Sequence, residues 1–78
     1  MYALVRVRDN KGDYGPASIV VNEMGDLDYN ARPEVGKPIT VGSLSHWWST
    51  TPVTEILYDS PNQVRFKTKN SIYIWEKL

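Results

Sequence analysis

Gln63-Val64-Arg65-Phe66-Lys67-Thr68-Lys69-Asn70-Ser71-Ile72-Tyr73-Ile74-Trp75-Glu76-Lys77 is the most informative stretch of this chain. Two runs of strand-forming residues, 63–68 and 72–77, flank a short polar turn, the pattern of an antiparallel hairpin. Turn length sets the faces, because a slip of one residue moves every side chain to the other side of the sheet. A two-residue turn groups Val64, Phe66, Tyr73 and Trp75 and leaves Arg65 and Lys67 opposite Ile72 and Ile74. A three-residue turn instead groups Val64 and Phe66 with Ile72 and Ile74. The two-residue form is favoured, since Asn70 tolerates the left-handed backbone that a tight turn demands.

Working outward, Ser60-Pro61-Asn62 reads as the preceding turn, and Val53 to Tyr58 as a further strand. Pro52 marks an edge or a bulge, where a missing N–H is tolerated. The β-forming run continues upstream through His46-Trp47-Trp48-Ser49-Thr50-Thr51. Residues 30–43 contain Pro33, Gly36, Pro38 and Gly42, which exclude a long helix. They read as loop with a short strand at Ile39 to Val41. At the N-terminus Met1 to Arg8 alternates, with Ala3, Val5 and Val7 on one side and Tyr2, Leu4, Arg6 and Arg8 on the other. Asp9 to Asp13 and Gly15-Pro16 are dense in turn formers. Ala17 to Asn22 forms a second strand that ends at the turn Glu23-Met24-Gly25-Asp26. Five or six short strands without a helix predict one all-β domain over residues 1–78, a small antiparallel SH3-like barrel or a strongly bent sheet.

The chain has 78 residues, 41% of them hydrophobic and 23% charged, which suits one small soluble domain rather than a disordered segment. Lys plus Arg and Asp plus Glu number 9 each, so net charge excludes a strongly basic nucleic-acid coat and a strongly acidic mimic. With no cysteine, neither disulfides nor thiolate metal sites support the core. No apolar run approaches the ~18 residues of a membrane span, and Arg6 and Arg8 interrupt any leader-like segment. No membrane association and a cytoplasmic location are therefore expected. Charge is nonetheless uneven. Residues 9–34 hold six acids (Asp9, Asp13, Glu23, Asp26, Asp28, Glu34) against Lys11 and Arg32, whereas Arg65, Lys67, Lys69 and Lys77 dominate residues 60–78. Were the first strand beside the last hairpin, Arg6 and Arg8 would join Arg65, Lys67 and Lys69 in one basic face.

Catalytic and metal chemistry finds little support. His46 is the single histidine, which excludes a His-His metal site, and no nucleophile-elbow glycine pattern surrounds a serine. Asp26, Asp28 and Asn30 occupy positions one, three and five of a calcium loop, but position six is Ala31 and position twelve is Lys37. Gly12-Asp13-Tyr14-Gly15 lacks the spacing and the Lys-Ser/Thr of a phosphate loop. Neither an enzyme nor a cofactor is expected. Trp47-Trp48 says more: adjacent strand residues face opposite sides, and so small a chain cannot cover both. One Trp, with some of Tyr2, Tyr14, Tyr29 and Tyr58, is expected at the surface, where aromatics anchor protein partners or stack on bases.

Trp48-Ser49-Thr50-Thr51-Pro52-Val53-Thr54-Glu55-Ile56 and Phe66-Lys67-Thr68-Lys69-Asn70-Ser71-Ile72-Tyr73-Ile74-Trp75 together resemble a pattern in short bacteriophage and prophage proteins of uncharacterised role. In those, a Thr-Ser/Thr-x-Val-x-x-Ile segment precedes a Thr-x-Asn-Ser-x-Tyr hairpin. The resemblance spans roughly residues 47–76. It implies a phage context, in which small proteins without catalytic groups act by binding host machinery, anti-CRISPR and polymerase-modulating proteins among them. The leading expectation is thus a non-enzymatic module, monomer or small homodimer, that binds a bacterial host protein in the cytoplasm through His46, Trp47 or Trp48, Asp26, Asp28 and Tyr29. The alternative is a small nucleic-acid-binding barrel in which Arg6, Arg8, Arg65, Lys67 and Lys69 contact phosphates while aromatics stack on bases.

Overall fold

A computed structural model describes residues 1–20, 24–29, 31–43 and 45–78, apart from the side chain of Val20. Its strands are β1 (Tyr2–Arg6), β2 (Lys11–Gly15), β3 (Ala17–Val20), β4 (Leu27–Asp28), β5 (Thr40–Gly42), β6 (Trp47–Ser49), β7 (Val53–Asp59), β8 (Gln63–Thr68) and β9 (Ile72–Lys77). They form two antiparallel sheets, one ordered β2-β1-β9-β8-β7 and the other β4-β3-β5-β6. The all-β expectation holds. Among the described residues the ladders make two sheets and no closed barrel, so the architecture is a pair of packed sheets.

The C-terminal hairpin has the faces expected of a two-residue turn. Val64 pairs with Trp75 and Phe66 with Tyr73, all four buried, while Arg65 and Lys67 stand opposite Ile74 and Ile72 on the other face. The turn chemistry differs from expectation, because Asn70 does not adopt positive φ. Thr68 closes the turn instead. Its backbone N–H donates to the Ser71 carbonyl at 2.8 Å, and its hydroxyl accepts from the Asn70 and Ser71 amides at 3.3 Å. The threonine hydroxyl thus supplies locally the geometry attributed to Asn70.

β1 joins both ends of the chain in one sheet, pairing with β2 and β9. The core face of β1 is the one that carries Tyr2, Leu4 and Arg6. Leu4 is fully buried, and Tyr2 stacks on Trp75 with ring centroids 5.0 Å apart. Two strands were not expected. Lys11–Gly15 read as turn, yet it is an edge strand whose register runs from Arg6↔Lys11 to Tyr2↔Gly15. Such a β-poor run is held by the backbone ladder to β1 rather than by its own side chains. Leu27–Asp28, within the segment tested as a calcium loop, pairs with β3 at Ile19↔Asp28 and Val20↔Leu27. The rest of the Ala17 to Asn22 strand, and Glu23 in the turn that follows, lie outside the described residues.

The two sheets meet at a corner made by two glycines. Gly15 and Gly42 approach so closely that a Cβ on Gly15 would lie 2.9 Å from the Gly42 Cα, and the Gly42 amide donates to the Pro16 carbonyl at 3.1 Å. Gly42 has φ of 137° and no room for a side chain, since its Cβ would fall 2.5 Å from the Trp47 Cα. Backbone contact this tight is what glycine permits. Pro52 precedes β7, an edge strand, as its missing donor requires.

The 31–39 loop closes the open end of the core. Ala31 and Ile39 are buried, and the buried Thr50 hydroxyl accepts from the Ile39 amide at 3.1 Å. Arg32 straps this loop to the β7–β8 turn: it donates to the Ser60 carbonyl at 2.8 Å, to the Pro61 carbonyl at 3.1 Å and to the Asp59 carboxylate. Its guanidinium lies 5.1 Å from the Trp75 ring centroid, a cation–π contact. Because the Arg32–Asp59 pair is largely exposed, Arg32→Ala is expected to cost only about 1 kcal/mol. Urea denaturation measures it, and a loss above about 3 kcal/mol would show that the strap carries core packing as well.

Candidate functional site

β6 resolves the tryptophan pair. Trp48 pairs with Val41, is half-buried, and packs against the core with the Arg6 guanidinium 4.7 Å from its ring centroid. Trp47 pairs with Gly42 and is 60% exposed on the opposite face. On that face Trp47 and Leu27 stand at either side of a cleft of about 540 Å³, with Tyr29 and Pro16 also lining it. Ser18, Thr40, Gly42 and Ser43 line the remainder, and the cleft exists because these residues are small where their neighbours are large. A concave apolar surface carrying a few hydroxyls is the usual form of a binding groove.

Of the partner-binding residues inferred from sequence, Trp47 and Tyr29 come together in this cleft. Trp48 belongs to the other face. Asp28 pairs with Ile19, so strand alternation sets it opposite to Leu27, and Asp26 lies just before β4. His46 turns away from the cleft toward β2. Its Nδ1 lies 2.6 Å from the Asp13 carboxylate, and its ring meets Tyr14 edge-on at 6.4 Å. Leu27, Pro16 and the small residues of the cleft were not singled out by sequence. A two-residue strand has no periodicity to read, and a Ser or Gly signals a cavity only once its neighbours are known.

The five basic residues of the alternative reading do not share one face. β1 does lie beside the last hairpin, but Arg6 pairs with Tyr73 on the inner side, whereas Arg65 and Lys67 alternate to the outer side of β8. Arg65 helps to line an outer cleft with Val7, Leu57, Tyr58 and Ile72. Arg6, Arg8 and the turn that carries Lys69 gather elsewhere, around a polar pocket described below.

Electrostatics concentrate at the β1–β2 turn. Arg6 holds Asp9 through two bonds, Nε to Oδ1 at 3.0 Å and Nη2 to Oδ2 at 2.5 Å, and the Lys11 amide adds a third at 3.2 Å. Hydrogen bonding from Arg6 pulls the Asp9 carboxyl down to about 2 from 3.8, and Asp9 raises Arg6 in turn. Asp13 is lowered likewise, chiefly by its bond to His46. A carboxyl whose folded pKa lies below its unfolded value stabilises the fold above that unfolded value, and the contribution is lost as pH falls through the folded pKa. The Asn10 and Lys11 amide signals should therefore titrate with a midpoint near 2 when NMR spectra are followed downward from pH 5, and Asp9→Asn should abolish the transition. A midpoint near 3.8 would show that the Arg6–Asp9 pair does not form in solution.

Among the described residues no group of three or more His, Cys, Asp or Glu could hold a metal ion, and no helix is long and apolar enough to cross a membrane. Compared with family models, curated proteins and solved structures, the chain matches none.

Proposed function

We propose that this chain is a non-enzymatic protein-interaction module of phage type, which modulates host machinery by binding a bacterial protein in the cytoplasm through the Trp47 cleft. One observation carries the reading: Trp47 stands exposed over a cleft shared with Leu27 and Tyr29 while its neighbour Trp48 serves the core. A small domain without disulfides has strong reason to bury every aromatic it has. Leaving one of its three Trp side chains outside, beside two more apolar ones, suits an anchor that fills or frames a pocket on a partner. The cleft fits an extended segment whose apolar side chain seats between Trp47 and Leu27, while the Thr40 and Ser43 hydroxyls, bonded to Ser49 and Ser45, keep lone pairs that can accept from its backbone amides. The glycine corner supports reading the two sheets as an open form of an SH3-like barrel. Affinity capture from bacterial lysate, with and without nuclease, tests the proposal. A stoichiometric protein retained after nuclease supports it, and loss of every retained protein on nuclease treatment overturns it.

A further inference from the structure

A further pocket, of about 420 Å³, opens where the end of β1, the β6–β7 connection and the β8–β9 turn converge. Arg6 and Arg8 line one side, Trp48 and Thr51 another, and Asn70 and Tyr73 complete it. Its polar groups include guanidinium, hydroxyl and amide, all able to donate, and among the described residues no carboxylate lines it. Asp9 reaches Arg6 through Nε and Nη2 and Tyr73 also interacts with the guanidinium, which orients it without using all five of its N–H donors. Among the described residues Arg8 makes no ion pair, and the side chains of Arg8, Thr51 and Asn70 make no hydrogen bond. Lys69, next to Asn70 in the turn, adds positive charge. Arg6, Arg8 and Lys69 against Asp9 leave the region cationic although the whole chain is neutral.

We propose that this pocket binds a phosphate group, held between the Arg6 and Arg8 guanidinia with Thr51 and Asn70 donating to its remaining oxygens. An arginine pair matches the oxygen geometry of phosphate better than isolated lysines do. The Trp48 face covered by Arg6 is closed to base stacking, so recognition rests on the phosphate itself, carried by a free small molecule or by a nucleic-acid strand. The site is independent of the Trp47 cleft, which lies on the other side of β6.

NMR titration at constant ionic strength tests the assignment with three probes: inorganic phosphate, a short oligothymidylate bearing a 5′-phosphate, and the same strand without it. Saturable shifts at the Trp48 indole N–H, Arg8 and Asn70 are expected, with a dissociation constant for inorganic phosphate in the roughly millimolar range. Arg8→Gln and Asn70→Asp both alter exposed turn positions away from the core, and each should weaken binding about tenfold or more. Trp47→Ala should leave it unchanged. Saturation by inorganic phosphate and by the 5′-phosphorylated strand alone assigns the site to phosphate monoesters, and equal saturation by both strands assigns it to backbone phosphodiesters. Absence of saturable shifts with all three probes, or shifts that persist undiminished in both pocket variants, overturns the proposal.

Discussion

Trp75→Ala is expected to bring the chain to the edge of unfolding at room temperature. Trp75 is 1% exposed, faces Val64 across the C-terminal hairpin, stacks on Tyr2 and seats the Arg32 guanidinium. Removing a buried Trp side chain costs about 3–5 kcal/mol, because transfer free energy is lost and the cavity collapses only in part. At roughly 0.05–0.15 kcal/mol per residue, a domain of this length has about 4–12 kcal/mol in total. Circular dichroism should show a melting temperature at least about 15 °C below that of the wild type. A variant that melts within about 5 °C of the wild type would mean that Trp75 does not organise this core.

Trp47→Ala is expected to act on binding alone. Its side chain lies outside the core cluster, so stability should change by no more than about 0.5 kcal/mol. Loss of a central aromatic anchor should weaken partner affinity by about 2–4 kcal/mol, or roughly 30- to 1,000-fold. Trp48→Ala should reverse the pattern, lowering stability through lost packing and the lost Arg6 contact while affecting the partner mainly through that instability. Thermal melts and calorimetric titration with the captured partner separate the two effects. Equal destabilisation by both substitutions would contradict the assignment of opposite faces.

Legibility in the sequence followed the strength of each local signal. The last hairpin was readable to the residue, because six-residue strands with clear alternation flank the turn and register follows from turn length. Its turn falls at the residues the sequence indicates, but by different chemistry: composition points to Asn70 as the bend, whereas the Thr68 hydroxyl closes it. β2 was missed because Lys-Gly-Asp-Tyr-Gly has turn composition, and only β1 beside it makes it a strand. Residues 30–43 read as loop with a short strand at Ile39 to Val41, which forms one residue later as β5, but no sequence pattern announces that Arg32 spans to residues 59–61 or that Ile39 is core. Within the candidate site, the opposition of Trp47 and Trp48 follows from alternation alone, but which of them faces out depends on where the larger sheet lies. The single basic face failed for the same reason of parity. β1 does pair with β9, the condition on which that face depended, but Arg6 falls on the inner side and Arg65 and Lys67 on the outer.

The central claim is that the Trp47 cleft is where this protein meets its partner. It is tested most directly by nuclease-treated affinity capture from bacterial lysate with the wild type, Trp47→Ala and Lys67→Ala in parallel, quantified by mass spectrometry. Lys67 is exposed on the far face of the larger sheet, so its substitution controls for nonspecific surface effects. One stoichiometric protein should be retained equally by the wild type and Lys67→Ala and depleted at least about 30-fold by Trp47→Ala. Equal retention by all three proteins would place the interaction elsewhere on the molecule and contradict the account.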